Sequence, residues 1–181
     1  MEVPPCWPVK GKFVNWLKRL CVAILLTAAS ISAAAEENPL IESTAVMLSW
    51  IKARAPYDPA MIDTLQSPKV RIRSRAFFDR IACRGSKREC HRIAWYNGGD
   101  TIFLRDDVDL SSIEGAGFLL HEVVHYVQER SDKFLEVNEC NRYRREREAY
   151  DFQRTYLIES GSYPTFAIYF SPPVGCAIAA K

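Results

Sequence analysis

The chain has 181 residues, 48% of them hydrophobic and 25% charged, a balance that supports one globular domain with a buried core and excludes intrinsic disorder. The formal net charge of +2 is unevenly placed, because Lys10, Lys12, Lys18 and Arg19 stand against the single acid Glu2 in residues 1–35. The remaining residues carry 20 Lys/Arg and 21 Asp/Glu, a formal charge of −1, so no general affinity for nucleic acid or acidic surfaces is implied.

The first elements read as a targeting segment. A basic stretch ending at Lys18-Arg19 precedes the apolar run Leu20–Leu26, and small residues then lead to Ala33-Ala34-Ala35 before Glu36-Glu37. That order of charged, apolar and small residues is the pattern of a secretory signal cleaved after Ala35. The apolar core is shorter than the roughly 20 residues of a spanning helix. The expected organisation is a signal peptide over 1–35 and one domain over 36–181, exported to a periplasm or the exterior and not inserted in the membrane after cleavage. Beyond the signal the chain keeps Cys83, Cys90, Cys140 and Cys176. An even count in an oxidising compartment predicts two disulfides. Three connectivities are open; a Cys83–Cys90 bridge would close a polar loop, and elimination would then pair Cys140 with Cys176.

In chain order, residues 39–53 carry Leu40, Ile41, Val46, Met47, Leu48 and Ile51 near helical spacing, which predicts a core-packed helix. Asp58-Pro59 reads as a cap and a first-turn proline opening a short helix to Leu65. Val70 and Ile72 alternate with Lys69, Arg71 and Arg73 as a half-exposed strand. Ile93–Tyr96 and Thr101–Leu104 flank Asn97-Gly98-Gly99-Asp100, the signature of a hairpin. Ser111 and Glu114 form a Ser-x-x-Glu capping box for a helix running to about Gln128. A last helix is expected over residues 138–157. The order predicts an α+β domain with a small antiparallel sheet.

Inside the capped helix lies His121-Glu122-Val123-Val124-His125. Residues four apart on a helix share a face, so both imidazoles can reach one ion. Catalytic zinc takes three protein ligands and leaves a position for water, and Glu122 stands where it can accept a proton from that water. The flanking Leu119, Leu120, Val123, Val124 and Val127 suit a helix buried in the middle of a domain. Two core histidines without a metal are the plainer reading, but they and Glu122 would leave several buried polar groups needing partners.

On these residues the chain resembles the zincin metallopeptidases, over roughly residues 95–157. No His-x-x-Gly-x-x-His extension follows His125, unlike the metzincin branch. Arg145-Glu146-Arg147-Glu148-Ala149-Tyr150 resembles the Glu-x-x-Ala-Asp segment that supplies the third ligand in several gluzincins, with Tyr150 where that pattern has Asp. Two glutamates compete for the role. Glu146 shares the inward face of Ala149, Tyr150 and Gln153, whereas Glu148 falls toward Arg144 and the solvent, so Glu146 is preferred.

The resemblance implies a minimal zincin-like domain, a zinc ion on His121, His125 and Glu146, and hydrolysis of a peptide or protein substrate with Glu122 as general base. It also implies a substrate strand laid along an exposed strand edge, for which Thr101–Leu104 is the candidate. An oxyanion-stabilising donor is required as well; His91, Tyr126, Tyr143, Tyr150 and Tyr163 are the candidates. Two readings from another class remain: an exported protein that binds zinc without turnover, and an interaction domain using the tail from Tyr163 to Lys181.

Overall fold

The computed structural model describes residues 39–84, 89–163 and 172–176. The predicted signal segment 1–35 and most of the tail after Tyr163 lie outside the described residues. The chain from Asn38 to Lys181 is one compact unit, a mixed α+β arrangement with five helices and a small three-stranded sheet among the described residues.

Helix α1 (Pro39–Lys52) buries Thr44, Met47, Leu48 and Ile51 and leaves Val46 exposed. The short α2 (Pro59–Thr64) starts as its sequence predicts: the Asp58 carboxylate accepts from Ala60 N at 2.9 Å and Pro59 occupies the first turn. Strand β1 (Lys69–Arg73) follows, then a helical turn α3 (Arg75–Phe77) that runs into a π-helical turn (Phe78–Ala82). Neither turn was anticipated, because three to five residues carry too little periodicity to read.

The sheet is mixed rather than antiparallel. Strand β2 (Ala94–Tyr96) pairs antiparallel with β3 (Thr101–Arg105) through the expected hairpin, but β1 pairs parallel on the other side of β3, giving the order β1-β3-β2. The register aligns Val70 with Ile102 and Ile72 with Leu104; Val70 is buried with Ile102, while Ile72 stays exposed. Thr101–Leu104 therefore lies in the central strand and offers no free edge, which corrects the expectation that a substrate strand could add there. The expectation failed because parallel pairing joins residues some thirty positions apart, beyond the reach of local pattern.

Helix α4 (Ile113–Arg130) runs behind the sheet with Leu119, Leu120, Val123, Val124 and Val127 fully buried; each contributes about 1.5–3 kcal/mol of burial. Its cap is Ser112, not Ser111: the Ser112 hydroxyl accepts from Gly115 N at 3.0 Å, while Ser111 bonds back to Asp109 and Glu114 receives the Ser162 hydroxyl. The capping box fails by one residue, since Glu114 then sits second in the helix and cannot reach back to the cap.

Helix α5 (Glu139–Glu159), capped by Asn138, packs against α4. The pairs Gln128 with Arg145, Gly117 with Leu157 and Glu114 with Ser162 show that the two helices run antiparallel. A Cβ on Gly117 would stand 3.0 Å from Leu157 Cδ2, so the glycine lets the helices approach closely. Trp50 of α1 meets Phe152 and Tyr156 of α5 edge-on and donates to Glu159 at 3.1 Å.

The hairpin is clamped to the end of α4. Arg130 donates to the Tyr96 hydroxyl at 2.8 Å and to Gly99 O at 2.6 Å, with its guanidinium 3.6 Å from the Tyr126 ring centre. Gly98 takes φ +80°, a conformation that favours glycine. Disulfides join Cys83 to Cys90 and Cys140 to Cys176, the second tying the first turn of α5 to the C-terminal segment. Among the described residues no helix is long and apolar enough to cross a membrane.

The cap assignment is testable by urea denaturation. Ser112→Ala should cost about 1 kcal/mol, the usual worth of an N-cap, and Ser111→Ala only a few tenths. A larger loss from Ser111→Ala than from Ser112→Ala would return the cap to Ser111.

Candidate metal centre

Helix α4 brings His121 and His125 onto one face, and α5 brings Glu146 opposite them. The two Nε2 atoms lie 3.1 Å apart, with Glu146 Oε2 3.6 Å from His121 Nε2 and Oε1 3.5 Å from His125 Nε2. Two donors about 2.05 Å from one ion and subtending a tetrahedral angle would be about 3.3 Å apart. The observed separations bracket that value, so His121, His125 and Glu146 form a group that can hold a metal ion.

The orientation of His125 follows from Gln128, a side chain only 1% exposed. Gln128 Nε2 donates to Arg145 O at 2.9 Å and to Glu148 Oε2 at 3.0 Å, which assigns the other amide atom as the acceptor. That oxygen lies 2.8 Å from His125 Nδ1. The proton of a neutral His125 is thus on Nδ1, and its lone pair is on the Nε2 that faces the cluster, the tautomer a metal requires. His121 is the contrast: its Nδ1 is buried with no hydrogen-bond partner.

Electrostatics bind the cluster together. Burial by itself would push His125 down, but the bond to Glu146, the charges of Glu122 and Glu146 and the Gln128 contact outweigh it, and its pKa is raised. Burial works against ionisation of Glu146 too, yet the two histidines overcome it and hold that carboxyl well below the usual range.

Glu148, expected to face solvent, does not. Its side chain is 15% exposed against 41% for Glu146, and it accepts from Tyr57 Oη, Gln128 Nε2 and Lys133 Nζ. The helix-face argument turned it toward Arg144 and solvent, but it reaches Gln128 of α4, and Tyr57 and Lys133, which come from other parts of the chain, enclose it as well. Glu148 is a structural tie, and Glu146 is the glutamate that meets the histidines.

Glu122 is buried beside the pair, and its environment explains how β2 contributes. Arg105 N donates to Ile93 O at 2.9 Å and Asn97 N to Thr101 O at 3.3 Å. In an antiparallel ladder the intervening even positions turn their amides the other way, so Ala94 and Tyr96 present theirs on the free edge. There Tyr96 N donates to Glu122 Oε2 at 2.8 Å. The edge strand facing the cluster is β2.

Of the candidate oxyanion donors, Tyr150 is the one set against the cluster, its ring centre 4.3 Å from that of His121. Burial, then the charges of Glu146 and Glu122, raise its pKa, which keeps the phenol protonated. Tyr126 is committed elsewhere, donating to Gln66 O at 2.6 Å. Tyr163 is 84% exposed. His91 is exposed, and Tyr143 is half-buried. Gln128 and the Tyr96 amide were missed by sequence reasoning. Gln128 had a signal, a polar residue three positions after His125 in an apolar helix; a main-chain amide has none.

The chain matches no protein-family model, and no curated protein or solved structure matches it.

The charge pair makes the metal-free protein pH-sensitive. The raised pKa of His125 contributes stability in full below its unfolded value of about 6.5, and the contribution is lost as pH rises through the raised value. The lowered pKa of Glu146 contributes above about 4.3 and loses that contribution as pH falls. In chelator, the excess stability of the protein over Glu146→Gln in urea unfolding should therefore be widest near pH 5–6 and narrower by pH 8. A difference that grows above neutrality would contradict the pairing.

Proposed function

We propose that this chain is an exported, zinc-dependent metallopeptidase that hydrolyses peptide bonds. The observation that carries the reading is the convergence of two helix-borne imidazoles and one carboxylate at metal-ligand separations, with a second carboxylate, Glu122, beside them and bonded to the outer edge of β2. Two imidazoles and one carboxylate form a donor set suited to zinc and leave a position open. The two disulfides accord with an oxidising compartment.

A zinc ion held by His121, His125 and Glu146 would supply Lewis acidity, polarising a carbonyl and bringing the pKa of water toward about 7. The remaining roles fall to the chain itself. Glu122 has Oε2 fixed by the Tyr96 amide, which leaves Oε1 to accept a proton from the attacking water and pass it to the departing amine. The substrate backbone would lie along the outer edge of β2, where Ala94 presents its amide away from β3. The Tyr150 phenol would donate to the carbonyl oxygen as it gains charge.

Metal analysis should find one zinc per chain, and a peptide library should be cleaved. Glu122→Gln should keep the metal and lose about 10²–10⁴-fold in turnover. Glu146→Ala should lose the metal, whereas Glu148→Ala should keep it and unfold more easily. Protein that takes up no zinc on reconstitution would sink the proposal; zinc-loaded protein that cleaves nothing would leave a non-catalytic zinc-binding protein.

Tyr150→Phe separates the phenol from the metal ligands. It should retain zinc and leave KM near its original value while lowering kcat by about 10²-fold. An unchanged kcat would remove Tyr150 from the chemistry.

A further inference from the structure

Two side-chain atoms among the described residues are buried without a hydrogen-bond partner: His121 Nδ1 and Gln153 Oε1. One is on α4 and the other on α5, and Gln153 is 2% exposed. Buried polar atoms are rarely left unsatisfied, and these two are complementary, since an amide oxygen only accepts and a neutral ring nitrogen can donate.

Their positions bring them to the same notch. Gln153 Cγ lies 3.6 Å from where a Cβ on Gly117 would be, and Gly117 stands one turn before His121 on α4. Tyr150, whose ring touches that of His121, stands nearly one turn before Gln153 on α5. Helical side chains lean toward the N-terminus of their own helix. In an antiparallel pair His121 therefore leans back toward Gly117, and Gln153 leans toward Tyr150, so that each leans toward the other. The absent side chain of Gly117 lets α5 come close at this point.

Several other acceptors near the cluster are engaged. Both Glu146 oxygens face the Nε2 atoms, Glu122 Oε2 takes the Tyr96 amide, and Gln128 Oε1 takes His125. We propose that Gln153 is the positioning residue for His121, its Oε1 accepting the Nδ1 proton directly or across one buried water. The terminal amide torsion of glutamine is broad, so turning Oε1 toward the ring requires little. The bond fixes the His121 proton on Nδ1 and its lone pair on Nε2, as Gln128 does for His125. The inference rests on the metal-centre reading for its purpose, though the bond itself can be observed without metal.

The test is nitrogen-15 NMR of the histidine rings at pH 8, in chelator and with zinc added, paired with zinc affinity by competition with a chromophoric chelator. His121 should show a protonated Nδ1 whose proton exchanges slowly with water in both states. Gln153→Leu, of similar length, should lose that protection and weaken zinc binding by about 10–100-fold, the usual effect of removing such a partner. Gln153→Glu, which keeps an acceptor, should retain both the slow proton and tight binding. A fast-exchanging or unprotonated Nδ1 in the unsubstituted protein overturns the inference even if every variant misfolds. So does Gln153→Leu binding zinc as tightly as the original, which would mark Gln153 as packing alone while leaving the metal centre intact. If the unsubstituted protein shows the slow proton yet binds no zinc, the pairing stands and the metal-centre reading falls.

Discussion

The amide of Gln128 spans the gap between the two long helices and makes three demands at once. Its oxygen must meet His125, and its nitrogen must meet a main-chain carbonyl and a carboxylate on α5. These partners can be reached together only when α4 and α5 stand in one rotation and one axial register. A slip by a single residue would turn Glu146 away from the histidines by more than a quarter of a turn. Buried hydrogen-bonded networks of this kind add little net stability but penalise every arrangement that leaves a member unpaired. The position of the ligand cluster is therefore a consequence of satisfying one glutamine.

Around that contact the two glutamates of Arg145–Tyr150 divide their work by environment. Glu148 is surrounded by donors that cannot leave, a phenol, an amide and an ammonium, and it closes the structure against the chain near Tyr57. Glu146 is more open and faces the two imidazole rings. The hairpin sets the remaining coordinate. Arg130 binds the Tyr96 hydroxyl and Gly99 O together, and this holds the short β2 against α4 so that a main-chain amide arrives at Glu122. A three-residue strand has little stability of its own, so the clamp at the end of α4 supplies what its length cannot.

Much of this was legible in residue order wherever the controlling distance along the chain is short. The placement of His121 and His125 on one face, the preference for Glu146, the Asp58 cap and the Asn97–Asp100 turn each depend on fewer than about eight neighbours, and helical or two-residue periodicity expresses them. What was not legible depends on partners far away. The exchange of edge and centre in the sheet comes from β1 crossing to lie beside β3. The burial of Glu148 comes from Tyr57 and Lys133, and no local pattern distinguishes a glutamate that faces water from one that faces a distant tyrosine. The cap moved from Ser111 to Ser112 because adjacent serines offer the same chemistry, and the loop at Asp109 decides between them.

The disulfides bear on which atoms a metal could find. Thiolates are stronger zinc donors than imidazole or carboxylate, and a reduced chain would offer Cys83, Cys90, Cys140 and Cys176 in competition with the cluster. Cys140 lies less than two helical turns from Glu146, near enough to draw an ion into a mixed and misplaced set of ligands. Once Cys140 is joined to Cys176 and Cys83 to Cys90, those four sulfurs no longer bind as thiolates, and the imidazole and carboxylate donors of α4 and α5 meet no competition from them. A chain oxidised before it meets a metal would thus be spared the competition of those four thiolates.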